Sequence, residues 1–152
     1  MLKLYSAISG AALALALATS AAPAQEAIAT ADGEQSGVRI DITELKRTSG
    51  DTLTMKFTLV NDSGEKVSPY GIFESVRSDV RNVHLIDAVG KKKYLTISDA
   101  SGNCVCSGGV SHDLESGKSL NLWARFPAPP ADVQEVSVVF PHFIPADAPI
   151  SQ

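Results

Sequence analysis

Cys104-Val105-Cys106 is the part of this chain whose residue types and spacing best suit chemistry, and it supports three readings. The first is a local disulfide. In an ideal strand, residues i and i+2 stand about 6.5 Å apart, near the upper end of disulfide geometry. A bond therefore requires a bend. Gly102-Asn103 on one side and Ser107-Gly108-Gly109 on the other supply pliable backbone for it. Such a bridge closes almost no loop, so it shapes a turn rather than stapling a fold. The second reading is a redox-active pair, because strained short-ring disulfides are the labile ones. No thioredoxin-like βαβ pattern accompanies it. The third is a soft-metal site, since thiolates select copper(I) or zinc. His112, six residues after Cys106, is its candidate third ligand, although the Cys-x2-Cys spacing usual for zinc is missing. An oxidising compartment favours the disulfide.

Other chemistry finds less support. His112-Asp113 follows Ser111 and lies near Ser107, but no G-x-S-x-G elbow accompanies them. His84 falls inside an expected strand, while His142 falls near a strand end or loop. Gly108-Gly109 lacks the lysine of a phosphate-binding loop. Asn61-Asp62-Ser63 fits a glycosylation sequon, a match that would be accidental were the chain bacterial. No calcium-loop pattern occurs. No enzymatic activity and no cofactor are expected. Trp123 and Arg125 share the polar side of an alternating run. With Tyr94 they form a candidate binding patch of types enriched at interface hot spots. The competing reading has a loop, such as Pro127-Ala128-Pro129-Pro130, covering that side.

These residues need elements to hold them. The chain has 152 residues with formal net charge −4, 44% hydrophobic and 20% charged. That composition specifies one globular domain. The absence of a basic excess argues against nucleic-acid binding. Residues 1–24 read as a signal peptide: Lys3, an apolar Ala- and Leu-rich stretch, then Ala22-Pro23-Ala24 before Gln25. The apolar stretch is too short to span a bilayer, which needs about 20 residues. No membrane span is expected after cleavage, and no twin-Arg signal is present. The Ala-rich style points to a bacterial periplasmic or secreted protein. Residues 25–36 read as a flexible leader and residues 144–152 as a Pro-rich surface tail.

Between them the dominant period is two, the strand period. Residues 38–42, 52–59, 83–86, 94–97, 120–126 and 136–140 alternate or form short apolar runs. Phe73, Val76 and Val80 allow one or two helical turns. Lys91-Lys92-Lys93 reads as a charged sheet edge that blocks aggregation. The fold class expected is an all-β, immunoglobulin-like antiparallel β-sandwich of about seven strands over residues 37–150.

The second half of the chain also resembles a group of bacterial exported domains. The resemblance rests on Lys93-Tyr94-Leu95, on Asp99-Ala100-Ser101-Gly102-Asn103-Cys104-Val105-Cys106-Ser107, and on Phe126-Pro127-Ala128-Pro129-Pro130-Ala131-Asp132-Val133. Pro141-His142-Phe143 and Asp147-Ala148-Pro149-Ile150 extend it. It implies an immunoglobulin-like sandwich of the envelope, of the kind sometimes found N-terminal to OmpA-like domains. It also implies that Cys104 and Cys106 belong to a shared structural feature, which strengthens the disulfide reading. No OmpA-like domain is expected with these residues, so peptidoglycan binding is not carried over. The function expected is an exported, envelope-associated binding or accessory module. Its partner would be another envelope protein or a cell-wall component. The alternative is periplasmic copper, zinc or thiol-redox handling through Cys104, Cys106 and His112.

Overall fold

The computed structural model describes residues 25–48, 51–110 and 112–152. The expected signal peptide, residues 1–24, lies outside the described residues. Strands β1 (Ala29–Asp32), β2 (Val38–Thr48), β3 (Thr52–Asn61) and β6 (Lys118–Pro127) form one sheet, in the order β1-β2-β3-β6. Strands β4 (His84–Asp87), β5 (Lys92–Leu95), β7 (Glu135–Val139) and β8 (Ala146–Pro149) form the other, in the order β5-β4-β7-β8. Every neighbouring pair is antiparallel. The described residues therefore form an all-β sandwich of eight strands, against about seven from the sequence pattern.

Alternation explains why these segments pack face to face. Leu53, Met55, Phe57 and Leu59 of β3 are buried, as are Leu122, Ala124 and Phe126 of β6. Their intervening residues point to solvent, because successive strand side chains face opposite sides. In β2 the buried set runs Val38, Ile40, Ile42 and then Leu45. That change of parity coincides with a register shift between Ile42 and Glu44 against β3. One extra residue, Thr43, returns Leu45 to the core, which is what a β-bulge does. Phe57, Phe73, Phe140 and Phe143 fill the centre through edge-to-face and tilted contacts.

Strand connectivity interlocks the two sheets. β3 neighbours β6 in one sheet while β4 neighbours β7 in the other. The chain crosses between sheets at each step from β3 to β4, β5 to β6 and β6 to β7. Immunoglobulin-type sandwiches order their strands in this way.

Three segments differ from the sequence expectation. Residues 25–36 are not an unstructured leader throughout: β1 pairs with Arg39 to Ile42 of β2, and Ala31 is buried. Its alanines carry little hydrophobic signal, yet small side chains fit where two backbones and a core edge meet. Residues 144–152 do not trail over the surface. β8 pairs with β7, and Ala146, Ala148 and Ile150 alternate into the core. Pro149 is tolerated there because β8 is an edge strand. The helix lies at α1 (Pro69–Phe73), upstream of the Phe73–Val80 pattern. Ser68 caps it by accepting a hydrogen bond from Gly71 N, Pro69 opens it, and Glu74 closes it in the left-handed conformation. Among the described residues no helix is long and apolar enough to cross a membrane.

Candidate functional site

The outer face of the first sheet holds the most site-like surface. In register across it, Lys56 stands opposite Trp123, Thr54 opposite Arg125, and Thr58 opposite Asn121. Trp123 and Arg125 are two apart on β6 and so project from the same face. Trp123 is 39% exposed, whereas its apolar neighbours Leu122 and Ala124 are buried. A groove of about 790 Å³ follows this face, with Thr54, Thr58, Asn121, Trp123 and Arg125 on its walls. Thr43, the bulged residue, and Gln25 also line it, and Gln25 Nε2 donates to Thr43 O at 3.2 Å.

Polar contacts divide the face into engaged and open groups. Lys56 Nζ pairs with Glu44 Oε1 at 3.0 Å. Arg39 binds both Asp41 and Asp62. Asp62 chiefly, by its hydrogen bond, keeps the Arg39 guanidinium above the usual arginine range. Thr58 Oγ1 donates to Asn121 Oδ1 at 2.8 Å, which leaves the Asn121 amide N–H groups to donate outward. Arg125 and Lys46 make no ion pair with a carboxylate among the described residues.

Behind Trp123 the backbone is backed by the cysteine segment. Trp123 N donates to Ser107 Oγ and Ser107 N to Trp123 O, each at 2.8 Å. Arg125 N donates to Val105 O at 3.1 Å, and Ile97 N to Arg125 O at 2.9 Å. Residues 104–107 thus cover the otherwise free edge of β6. Cys104 and Cys106 are joined there, with Cα atoms 5.2 Å apart. That separation is shorter than an extended strand allows, so the backbone bends as the spacing requires. The bend is closed by Asp99, which accepts from Asn103 N and Ser101 N. Those contacts, the Asn103 backbone foremost, hold the Asp99 carboxyl below its usual range.

Of the expected patch, Trp123 and Arg125 come together and Tyr94 does not. Tyr94 stands opposite buried Leu85, so it faces the interior of the sandwich. Its hydroxyl is buried without a hydrogen-bond partner, and burial, then Asp87, push its pKa up. Alternation in β5 was too short to show which side faced inward. Nor does the Pro-rich loop cover Trp123: Arg47 holds it, donating to Pro129 O and Pro130 O at 2.8 Å. Cys104 and Cys106 are bonded to each other, and among the described residues no three His, Cys, Asp or Glu side chains gather to hold an ion. Lys92 and Lys93 lie on β5, at the edge of the second sheet. His84 is a half-buried strand residue whose pKa is lowered, chiefly by burial.

The wall residues Thr54, Lys56, Thr58 and Asn121 are the members that sequence reasoning missed. Their outward alternation was visible, and it already put Asn121 beside Trp123 on β6; the neighbourhood of Thr54, Lys56 and Thr58 depends on the β3–β6 register.

His142 forms a separate polar strap. Its Nε2 lies 3.0 Å from Glu74 Oε1 and its Nδ1 3.4 Å from Glu34 Oε2. These carboxylates, Glu74 first, hold the imidazole above the usual histidine range. A raised folded pKa stabilises fully below the unfolded value, and the benefit is lost as pH rises through the folded value. His142 has φ 66°, a conformation that asparagine tolerates. His142→Asn is therefore expected to lower the melting temperature at about pH 6 and to cost less at about pH 8. Thermal melts of both proteins check this; an equal deficit at both values refutes it.

The fold and the groove define the class: a β-sandwich of immunoglobulin-type strand order with an aromatic and cationic face. Compared with known protein families, curated proteins and solved structures, the chain matches none.

Proposed function

We propose that this chain is an exported, envelope-associated binding module with no catalytic activity of its own, and that the groove around Trp123 is its recognition surface. The observation that carries this reading is the exposed Trp123 beside Arg125, a cation with no carboxylate partner among the described residues. An aromatic ring left open on a rigid strand offers contact area at little entropic cost on binding, and Trp and Arg dominate recognition hot spots. Periplasmic or secreted location follows from reading residues 1–24 as a signal peptide. The partner is an envelope protein or a cell-wall component.

Cosedimentation tests the reading. The purified exported protein is expected to pellet with isolated bacterial envelope fragments, and Trp123→Ala to reduce the retained fraction about tenfold, the effect of one hot-spot residue. Circular dichroism should show the variant folded, since Trp123 is exposed. Equal retention of both proteins, or none of the wild type, refutes the proposal.

A further inference from the structure

We infer that the outer groove takes a carboxylate-bearing saccharide, stacked on Trp123 and held at its carboxylate by Arg125. The inference rests on the binding-module reading and names its ligand. Three features of the face support it.

The first is the company Trp123 keeps. It is the single tryptophan of the chain. Among the described residues it is the only exposed large apolar side chain that lines the groove. Its cross-strand partner is Lys56, whose ammonium is held by Glu44, and the walls around it carry the hydroxyls of Thr54 and Thr58 and the amide of Asn121. A protein anchor or an acyl chain would call for further apolar groups around the ring. A pyranose instead presents an apolar face of C–H bonds with hydroxyls at its rim. The ring stacks on the indole, as apolar ligand surfaces do on aromatic side chains, and the hydroxyls meet the polar walls. Asn121 is already oriented by Thr58 Oγ1, so its amide N–H groups are available as donors.

The second feature is charge. The protein carries formal net charge −4. Beside the groove Asp41 is engaged by Arg39, and Glu44 by Lys56. Arg125 and Lys46 are cations of this face for which no carboxylate partner is found among the described residues. They stand beside Thr54 in one cross-strand row. A positive spot on an acidic protein selects an anionic group by complementarity. The planar guanidinium of Arg125 suits a carboxylate through paired hydrogen bonds.

The third is scale. Residues two apart on a strand are separated by about 7 Å, so the stacking surface and the guanidinium can serve one sugar and its carboxylate. The groove, about 790 Å³, is large enough for a short oligosaccharide. Main-chain bonds to Ser107 and Val105 fix β6 on its outer edge, so both side chains ride on a rigid strand.

Because Trp123 is the single tryptophan, its fluorescence reports the site directly. Wild-type protein is titrated with trigalacturonate, with a neutral galactose trisaccharide and with a short polyaspartate peptide. Calorimetry covers the variants. Trigalacturonate is expected to shift the emission and to bind at least about tenfold tighter than either comparison ligand. Arg125→Gln should weaken it about tenfold, the scale of one charge-assisted pair. Trp123→Ala should abolish the heat of binding. The inference is overturned if trigalacturonate does not bind wild type, if either comparison ligand binds equally well, or if both variants keep full affinity. Should any of these occur while wild type still pellets with envelope fragments and Trp123→Ala pellets less, this inference is wrong and the binding module stands. If it neither binds nor pellets, both readings fall.

Discussion

Phe57→Ala is expected to lower the unfolding free energy by about 3–5 kcal/mol, the cost of emptying an aromatic site in a packed core. Phe57 is 1% exposed at the middle of β3. Its cross-strand partners are Ile42 on β2 and Leu122 on β6. Across the sandwich its ring centroid lies 5.1 Å from Phe140, just beyond β7, and 6.3 Å from Phe73 at the end of α1. One side chain thus ties together both sheets and the helix. Truncation forfeits buried apolar area, leaves a cavity and removes two aromatic pairs. Since domains of this size have only about 5–15 kcal/mol of stability, the variant should be close to its threshold. Denaturant unfolding is the measurement: the midpoint should fall sharply with little change in slope. Phe57→Leu should lose about 1–1.5 kcal/mol, because it retains most of the volume. A loss below about 1 kcal/mol for Phe57→Ala would show that the two sheets do not meet at this residue.

The second large effect is expected at Asp79, where Asp79→Ala should cost about 2–3 kcal/mol, as for lost hydrogen bonds to a charged group. Asp79 is 7% exposed in the segment joining α1 to β4. Its carboxylate accepts from Ser75 Oγ at 2.7 Å, from Arg81 N at 3.2 Å and from Arg81 Nη2 at 2.6 Å. Burial pushes this carboxyl's pKa up, but the hydrogen bonds from Arg81 and Ser75 outweigh it and hold the group below its usual range. The ionised form is therefore favoured by folding. Its contribution stands above the unfolded value of about 3.9 and is lost as pH falls through the lower folded value. Asp79→Ala should accordingly be most damaging near neutral pH, with the gap to wild type narrowing toward about pH 3. Asp79→Asn keeps the shape and removes the charge, so it should fall between the two. The consequence reaches the groove. Val80 N donates to Ser107 O at 3.2 Å and Val110 N to Ser78 O at 3.0 Å, which zips this segment to the strip backing Trp123. Hydrogen exchange at Ser107 and Trp123 should quicken in Asp79→Ala. A pH-independent loss would exclude the carboxylate as its source.

Some of the architecture could be read directly. The period-two runs of β3 and β6 are long and apolar on one side, and they place Leu53 to Leu59 and Leu122 to Phe126 inward as expected. The Cys104-Val105-Cys106 bend was legible as a geometric requirement: residues this close in sequence cannot join on a straight strand. Less of the site was legible. Arg125 beside Trp123 follows from alternation within one strand. Asn121 follows in the same way, but Thr54 depends on the register with a strand far away in sequence, and Tyr94 on a run too short to show its inward side.

The distinction lies in the range of the physics. Strand geometry is local: a two-residue repeat assigns every side chain of a run to one of two sides, so the sequence by itself determined which faces of β3 and β6 are buried. Pairing is not local. The Ala-Thr-Ala-Asp of β1 and the Ala-Asp-Ala-Pro of β8 hold too little apolar surface to announce themselves as strands. They become strands because β2 and β7 present unpaired backbone groups beside them and the core edge admits small side chains. Likewise, only the β3–β6 register brings threonines 54 and 58 beside the indole of Trp123, and only the pairing of β5 with β4 turns Tyr94 inward. Strand pairing decided those placements, and the long-range β3–β6 register decided the composition of the groove.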